Sequence, residues 1–239
     1  MATLQEIVDS FTGEQGIPVP ASVMGSADAQ VLQIRRILER GLDDLSQRGA
    51  WERMVFEASW SSLAAESQGA ITSLATNGFR YLIPETLWDR TEKLPLLGPI
   101  DSQGWQALKA IVITGPRYSF RLRGGLFLVT PAPPAGHTWV FEYVSKNFLL
   151  AVDGVTYRYR FVANTDDILI PDQIVQADLL WRWKKVKGLA YAEDFNTAER
   201  MIANALGRDG GKKCLVMDDN YGEGPRPGIF VPAGSWITP

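Results

Sequence analysis

Apolar positions along the chain change their period twice, and those changes divide it. Residues 3 to 10 put Leu4, Ile7 and Val8 on one side, which predicts a short amphipathic helix. The stretch FTGEQGIPVPASVMGS (11–26) mixes Gly, Pro and Ser and predicts an irregular loop. Val31, Ile34, Leu38 and Leu45 then recur at helical steps, and Ile37 and Leu42 widen the stripe. Ser26 is placed to cap this helix, because a hydroxyl can accept an orphan N–H of the first turn. Gly49 follows as its C′ residue.

From Met54 to about Val162 the period falls to two. Val55, Glu57 and Ser59 alternate with Phe56, Ala58 and Trp60. Tyr118, Phe120 and Leu122 alternate with Arg117, Ser119, Arg121 and Arg123, and Trp139, Phe141 and Tyr143 with Val140, Glu142 and Val144. Gly124-Gly125 and Asp153-Gly154 predict hairpin turns, since such turns need the positive φ that Gly accepts. After the second, Tyr157, Tyr159 and Phe161 face one way and Arg158 and Arg160 the other. SQGWQALKAI predicts a short helix over 102–111.

Helical spacing returns after Pro171, with Ile174, Ala177, Leu180 and Trp181 as a stripe and Gly188 as a break. A further helix is expected from Asn196, whose spacing to Glu199 suits a capping box, through Met201, Ile202 and Leu206 to Gly207. Beyond it Pro225, Pro227, Pro232 and Pro239 forbid a helix. Ile229, Phe230, Val231, Trp236 and Ile237 are too apolar for a purely solvated tail, so the segment reads as an extended arm that docks on another subunit. The expected fold is α+β: a helical bundle (1–53 and 168–208) with an inserted antiparallel β-rich domain (54–167) and an extended C-terminal arm (209–239).

Composition narrows the partners. Apolar residues make up 46% of the 239, enough for a core, and 21% are charged, which argues against disorder. With 24 Lys+Arg against 27 Asp+Glu the net charge is -3, unlike the basic footprint of a dedicated nucleic-acid binder. One cysteine, Cys214, allows no internal disulfide and suits a reducing cytoplasm. The first residues show no signal peptide and no apolar run is long enough for a membrane span.

Candidate chemistry is sparse. His137, the single histidine, lies in PPAGHTW before a strand and reads as a turn residue. One Cys and one His cannot close a zinc site, and no nucleophile elbow, Walker A or dinucleotide fingerprint occurs. Asp166-Asp167 and Asp218-Asp219 read as solvated acids beside turns. No catalytic, cofactor or metal residue is assigned. The basic cluster WRWKKVKG (181–188) could set Lys184, Lys185 and Lys187 on phosphates and Trp181 or Trp183 on bases. The favoured reading is an amphipathic helix with buried Trp and snorkelling Lys. Arg35, Arg36 and Arg40 form a second basic flank, on the same helix as Glu39, Asp43 and Asp44, and suit an intersubunit or channel-facing role.

The segment 16–51 resembles the N-terminus of the tail tubular protein A, or head-to-tail adaptor, family of short-tailed phages. The shared features are a Pro-containing loop with Ser22 and Gly25, an Ala27-Asp28 start, a long helix bearing Arg36-Ile37-Leu38, and the close Ser46-Gln47-Arg48-Gly49-Ala50-Trp51. The family usually has the aromatic directly after Gly; here Ala50 intervenes. YLIPETLWDRTEKLPLLGPI (81–100), SQGWQALKA, FEYVSKNF and ILIPDQIVQADLLWRWKKVKGLAYAEDF (168–195) follow in the family's order.

The resemblance implies a structural, non-enzymatic virion protein of the tail-neck region, assembled in the host cytoplasm as a homo-oligomeric ring of about twelve copies. It implies contact with the portal protein above and the tail nozzle protein below. Double-stranded DNA would pass through without sequence-specific binding during genome ejection, and no cofactor is implied. Ile229, Phe230, Val231, Trp236 and Ile237 would anchor the arm on the portal or a neighbouring subunit. Two alternatives stay open: the connector or tail-completion protein of a long-tailed phage, and a carbohydrate-binding or hydrolytic tail module built on the Tyr-rich strand at 157–161.

Overall fold

In a computed structural model, which describes residues 2–110 and 117–209, the first helix, α1, spans Leu4–Glu14. It is longer than its stripe predicts, because Thr3 and Glu6 form a reciprocal capping box at its start and Phe11 and Thr12 extend its buried face. The loop after it is pinned rather than loose. The Met24 N–H donates to Asn164 Oδ1, and Asn164 Nδ2 donates to Ser22 Oγ.

Helix α2 spans Ala29–Gln47 and buries Val31, Ile34, Leu38, Leu42 and Leu45. Its cap is Asp28, not Ser26: the Asp28 carboxylate accepts the Gln30 N–H at 2.7 Å, while Ser26 Oγ accepts from Asp28 itself. Gly49 follows the helix but is not left-handed. It is small because a Cβ there would meet Leu206 Cδ2 at 2.6 Å.

Eleven strands follow among the described residues: β1 (Val55–Ser61), β2 (Ser67–Ala70), β3 (Phe79–Leu82), β4 (Trp88–Asp89), β5 (Leu94–Pro95), β6 (Ser119–Arg123), β7 (Leu126–Thr130), β8 (Thr138–Ser145), β9 (Leu149–Leu150), β10 (Tyr157–Arg158) and β11 (Asp167–Ile168). Helix α3 (Ile71–Leu74) lies between β2 and β3, and α4 (Ser102–Ala110) between β5 and β6. All strand pairs are antiparallel. Strand β8 is central, with β1 on one edge and β3 and β4 on the other, and β5 beyond β4. A second sheet runs β2-β7-β6 and a third β10-β9-β11. Both expected hairpins form. Gly124 and Gly125 have φ of 58° and 75°, the paired positive values of a type I′ turn. The ladder of β10, however, ends at Arg158, because the next residues leave β9 to bond α2.

Helix α5 (Asp172–Lys187) ends on a left-handed Gly188, and α6 (Ala192–Leu206) packs beside it. The buried set of α5 is Ile174, Val175, Asp178, Leu179, Trp181 and Trp183, wider than the expected stripe and including an acid; Ala177 and Leu180 are half-buried. Its width follows from contact with α1, α2 and α6 at once. Helix α6 starts at Ala192, not Asn196, because Asp194 in its first turn pairs with Lys184 and Phe195 packs on Trp181.

The fold is α+β, with two apolar cores. One is lined by α1, α2, α5 and α6 together with Phe148, Leu149, Phe161 and Ile168. The other lies between the larger sheets, around Trp139, Phe141, Phe127 and Phe120. No helix among the described residues is long and apolar enough to cross a membrane.

Candidate functional site

The charged flanks of α2 and α5 carry the basic residues that the sequence singles out. At about 3.6 residues per turn, Gly41, Asp44 and Arg48 lie on one flank of the α2 stripe and Glu39, Asp43 and Ser46 on the other. The first flank meets α5 and α6. Asp44 accepts from Arg48 at 2.9 Å and Arg182 at 2.6 Å, and Arg48 also pairs with Glu199. Asp178 is buried against Gly41 and accepts from Arg182 Nε at 2.7 Å and Trp181 Nε1 at 2.9 Å. Burial pushes its carboxyl above the usual carboxylate range despite the opposing pull of Arg182.

The second flank meets the β10 segment and β3. Tyr159 donates its hydroxyl to Asp43 at 2.9 Å, Arg80 donates to Ser46 Oγ at 2.9 Å, and Arg160 lies 3.9 Å from Glu39. The acids of α2 are therefore paired within the chain. Of the three arginines singled out in the sequence, Arg36 pairs with Glu39 at 3.1 Å. Arg35 reaches Met24 Sδ at 3.6 Å with its Nε buried and without a hydrogen-bond partner. Arg40 is exposed and has no ion pair among the described residues.

In the basic cluster Trp181 and Trp183 are buried as expected, but on different sides of α5, so the helix is not simply amphipathic: Trp183 packs on Phe11 and Trp181 on Phe195. Lys184 pairs with Asp194 at 2.7 Å, and Lys187 donates to Gln33 at 3.0 Å and stands 4.3 Å over Trp183. Lys185 is different: it is exposed and without an ion pair among the described residues, 5.8 Å from the centroids of both Trp181 and Tyr191. These groups edge a cleft of about 330 Å³ lined by Trp181, Lys185, Tyr191, Ala192, Phe195 and Asn196, open to solvent. The sequence reading missed Tyr191 and Phe195 because it began α6 too late.

The tip of the β9–β10 hairpin, expected only as a turn, also presents exposed apolar side chains. Val152 and Val155 are 81% and 75% exposed, on either side of Asp153-Gly154. Asp153 holds the turn by accepting the N–H groups of Val155 and Thr156 at 2.9 and 2.8 Å and the Thr156 hydroxyl at 2.5 Å. Those bonds, the Thr156 hydroxyl foremost, lower its carboxyl to about 2. The apolar residues flanking the Asp-Gly pair were the available signal.

His137 is more than a turn residue. Its Nδ1 lies 2.7 Å from Asp89 Oδ2 and its Nε2 3.8 Å from Glu92. Asp89 is buried. Burial alone would raise its carboxyl, but the backbone N–H of Glu92, with further hydrogen bonds, holds it below the usual range. The imidazole's side-chain partners are thus carboxylates. The nearby Ser62 hydroxyl is engaged by the His137 backbone N–H and by Pro134 O, so the arrangement braces a corner and pairs no hydroxyl with the ring.

Asp166 is a correction of the solvated reading. It is fully buried, bonds Arg158 at 2.8 Å, and accepts the Val162 and Ala163 N–H groups, which closes the loop before β11. Tyr157 and Tyr159 are half-buried and pack, with Phe161, on the helix-lined core rather than forming an open stacking face. Among the described residues no group of three His, Cys, Asp or Glu could hold a metal. Ile229, Phe230, Val231, Trp236 and Ile237, with Cys214 and Asp218-Asp219, lie outside the described residues.

No protein-family model matches the chain, and no curated protein matches it.

Proposed function

We propose that this chain is a structural head-to-tail adaptor subunit of a tailed phage. It would dock as a ring of about twelve copies below the portal. It would continue the DNA channel and carry the tail nozzle protein. The observation that supports this most is the pairing of two segments that resemble the adaptor family. Residues 16–51 and 168–195 lie far apart in sequence, yet α2 and α5 pack against each other with the antiparallel sheets between them in the chain. That order suits a helical bundle with an inserted β-rich domain at 54–167 and an extended arm from 209.

On this reading Arg40 and Lys185, exposed and without an ion pair among the described residues, belong to assembly surfaces. The arm, with Phe230 and Trp236 as anchors, reaches the portal or a neighbouring subunit. Electron microscopy of the full chain mixed with the phage's portal protein tests the proposal. A ring of added density beneath the portal is the expected result. Portal particles with no added density, under conditions where both proteins remain folded, would overturn it.

A further inference from the structure

The molecule carries an apolar knob on the β9–β10 hairpin and an apolar cleft between α5 and α6. The knob is the β9–β10 tip, where two branched apolar side chains stand in solvent on a turn locked by Asp153. Such rigidity matters, since a preorganised tip loses little entropy on binding. The hole is the α5–α6 cleft, floored by the edge-to-face pair of Trp181 and Phe195, with centroids 5.2 Å apart, and walled by Tyr191. Charge is complementary as well. The tip carries one exposed carboxylate, Asp153, ionised throughout the neutral range, and the cleft carries one exposed ammonium, Lys185, without an ion pair among the described residues.

Placement decides what kind of contact these surfaces can make. The β10 segment is tied to the α2 flank of Glu39 and Asp43, through Arg160 and Tyr159. The cleft-bearing helices are tied to the flank of Gly41, Asp44 and Arg48. The two flanks lie roughly half a turn apart about the α2 axis. A knob and a hole borne by elements on opposite flanks of one helix suit successive copies, in a heterologous, head-to-tail contact.

We propose that copies of this chain associate head to tail, with Val152 and Val155 of one copy seated in the Trp181–Tyr191–Phe195 cleft of the next and Asp153 against Lys185. This deepens the ring reading above and rests on it for closure into a ring; the pairwise contact does not depend on the portal.

The test uses the full chain with Cys214→Ser and a short bis-maleimide cross-linker. Three variants are made on that background: Val155→Cys, Ala192→Cys and both together. Unchanged circular dichroism and melting certify each fold. The double variant is expected to give a ladder of linked species. A mixture of the two single variants is expected to stop at linked pairs, and each single variant alone to give none. Adding Lys185→Glu to the double variant should suppress the ladder. A double variant no more cross-linked than the single ones, both in concentrated solution and in portal-bound particles, overturns the contact. So does a single variant that links to itself, since that marks a two-fold contact. The two readings fail separately. Portal-bound rings without the cross-link refute this contact and leave the adaptor proposal standing, whereas a ladder without portal binding does the reverse.

Discussion

Gly41 and Asp178 show how much of this fold rests on one missing methyl group. The buried carboxylate of Asp178 occupies the place a Cβ on residue 41 would take, and Arg182 reaches across it to Asp44. Gly41→Ala is therefore expected to cost about 1–3 kcal/mol, as overpacking does, despite the better helix propensity of Ala. Urea unfolding measures it, and a variant as stable as the parent would contradict the account. Asp89 gives a prediction in pH. Its carboxyl lies below 3.8 in the folded chain, so it adds stability that is present above that value and fades as pH falls through the folded one. Asp89→Asn should lower the melting temperature at neutral pH and flatten its decline on the acid side; an unchanged acid limb would count against the assignment. Neither buried acid was readable in sequence. Gly41 covers Asp178 from another helix, and His137 meets Asp89 from 48 residues along the chain, so no local pattern marks either acid as buried.

At the level of elements, periodicity located the long helices and both Gly-bearing hairpins, and turn chemistry was a sound guide where it was local. It failed at helix starts, where several residues compete. Asp28 outcompetes Ser26 because its carboxylate accepts the free N–H of Gln30, and α6 begins early because Phe195 finds Trp181. Asp28→Ala should accordingly destabilise the protein by about 1 kcal/mol, with Ser26→Ala costing less; the reverse order in thermal unfolding would refute the cap assignment. The strand at 157–161 was read too long for a related reason. Its alternation is genuine, but Tyr159 and Arg160 spend their polar groups on α2 and not on a neighbouring strand.

For the whole molecule, the two cores make separate demands. Phe127 is buried among Phe120, Phe141 and Trp60, so Phe127→Ala should cost about 3–5 kcal/mol. Amide exchange should rise first in β6, β7 and β8 while α2 and α5 stay protected; equal loss in both regions would show that the cores melt as one. The arm was read from composition, and the adaptor proposal gives it a role that truncation at Gly222 probes: particles lacking it should lose DNA or fail to acquire tails, and normal particles would remove that role. The close fit of Gly41 to Asp178 also has a consequence for descent. Two positions far apart in the chain are inherited as one unit. Among related chains an Asp at the second should occur only beside a Gly at the first, and any lineage that gains a side chain at 41 should already have shortened or neutralised 178.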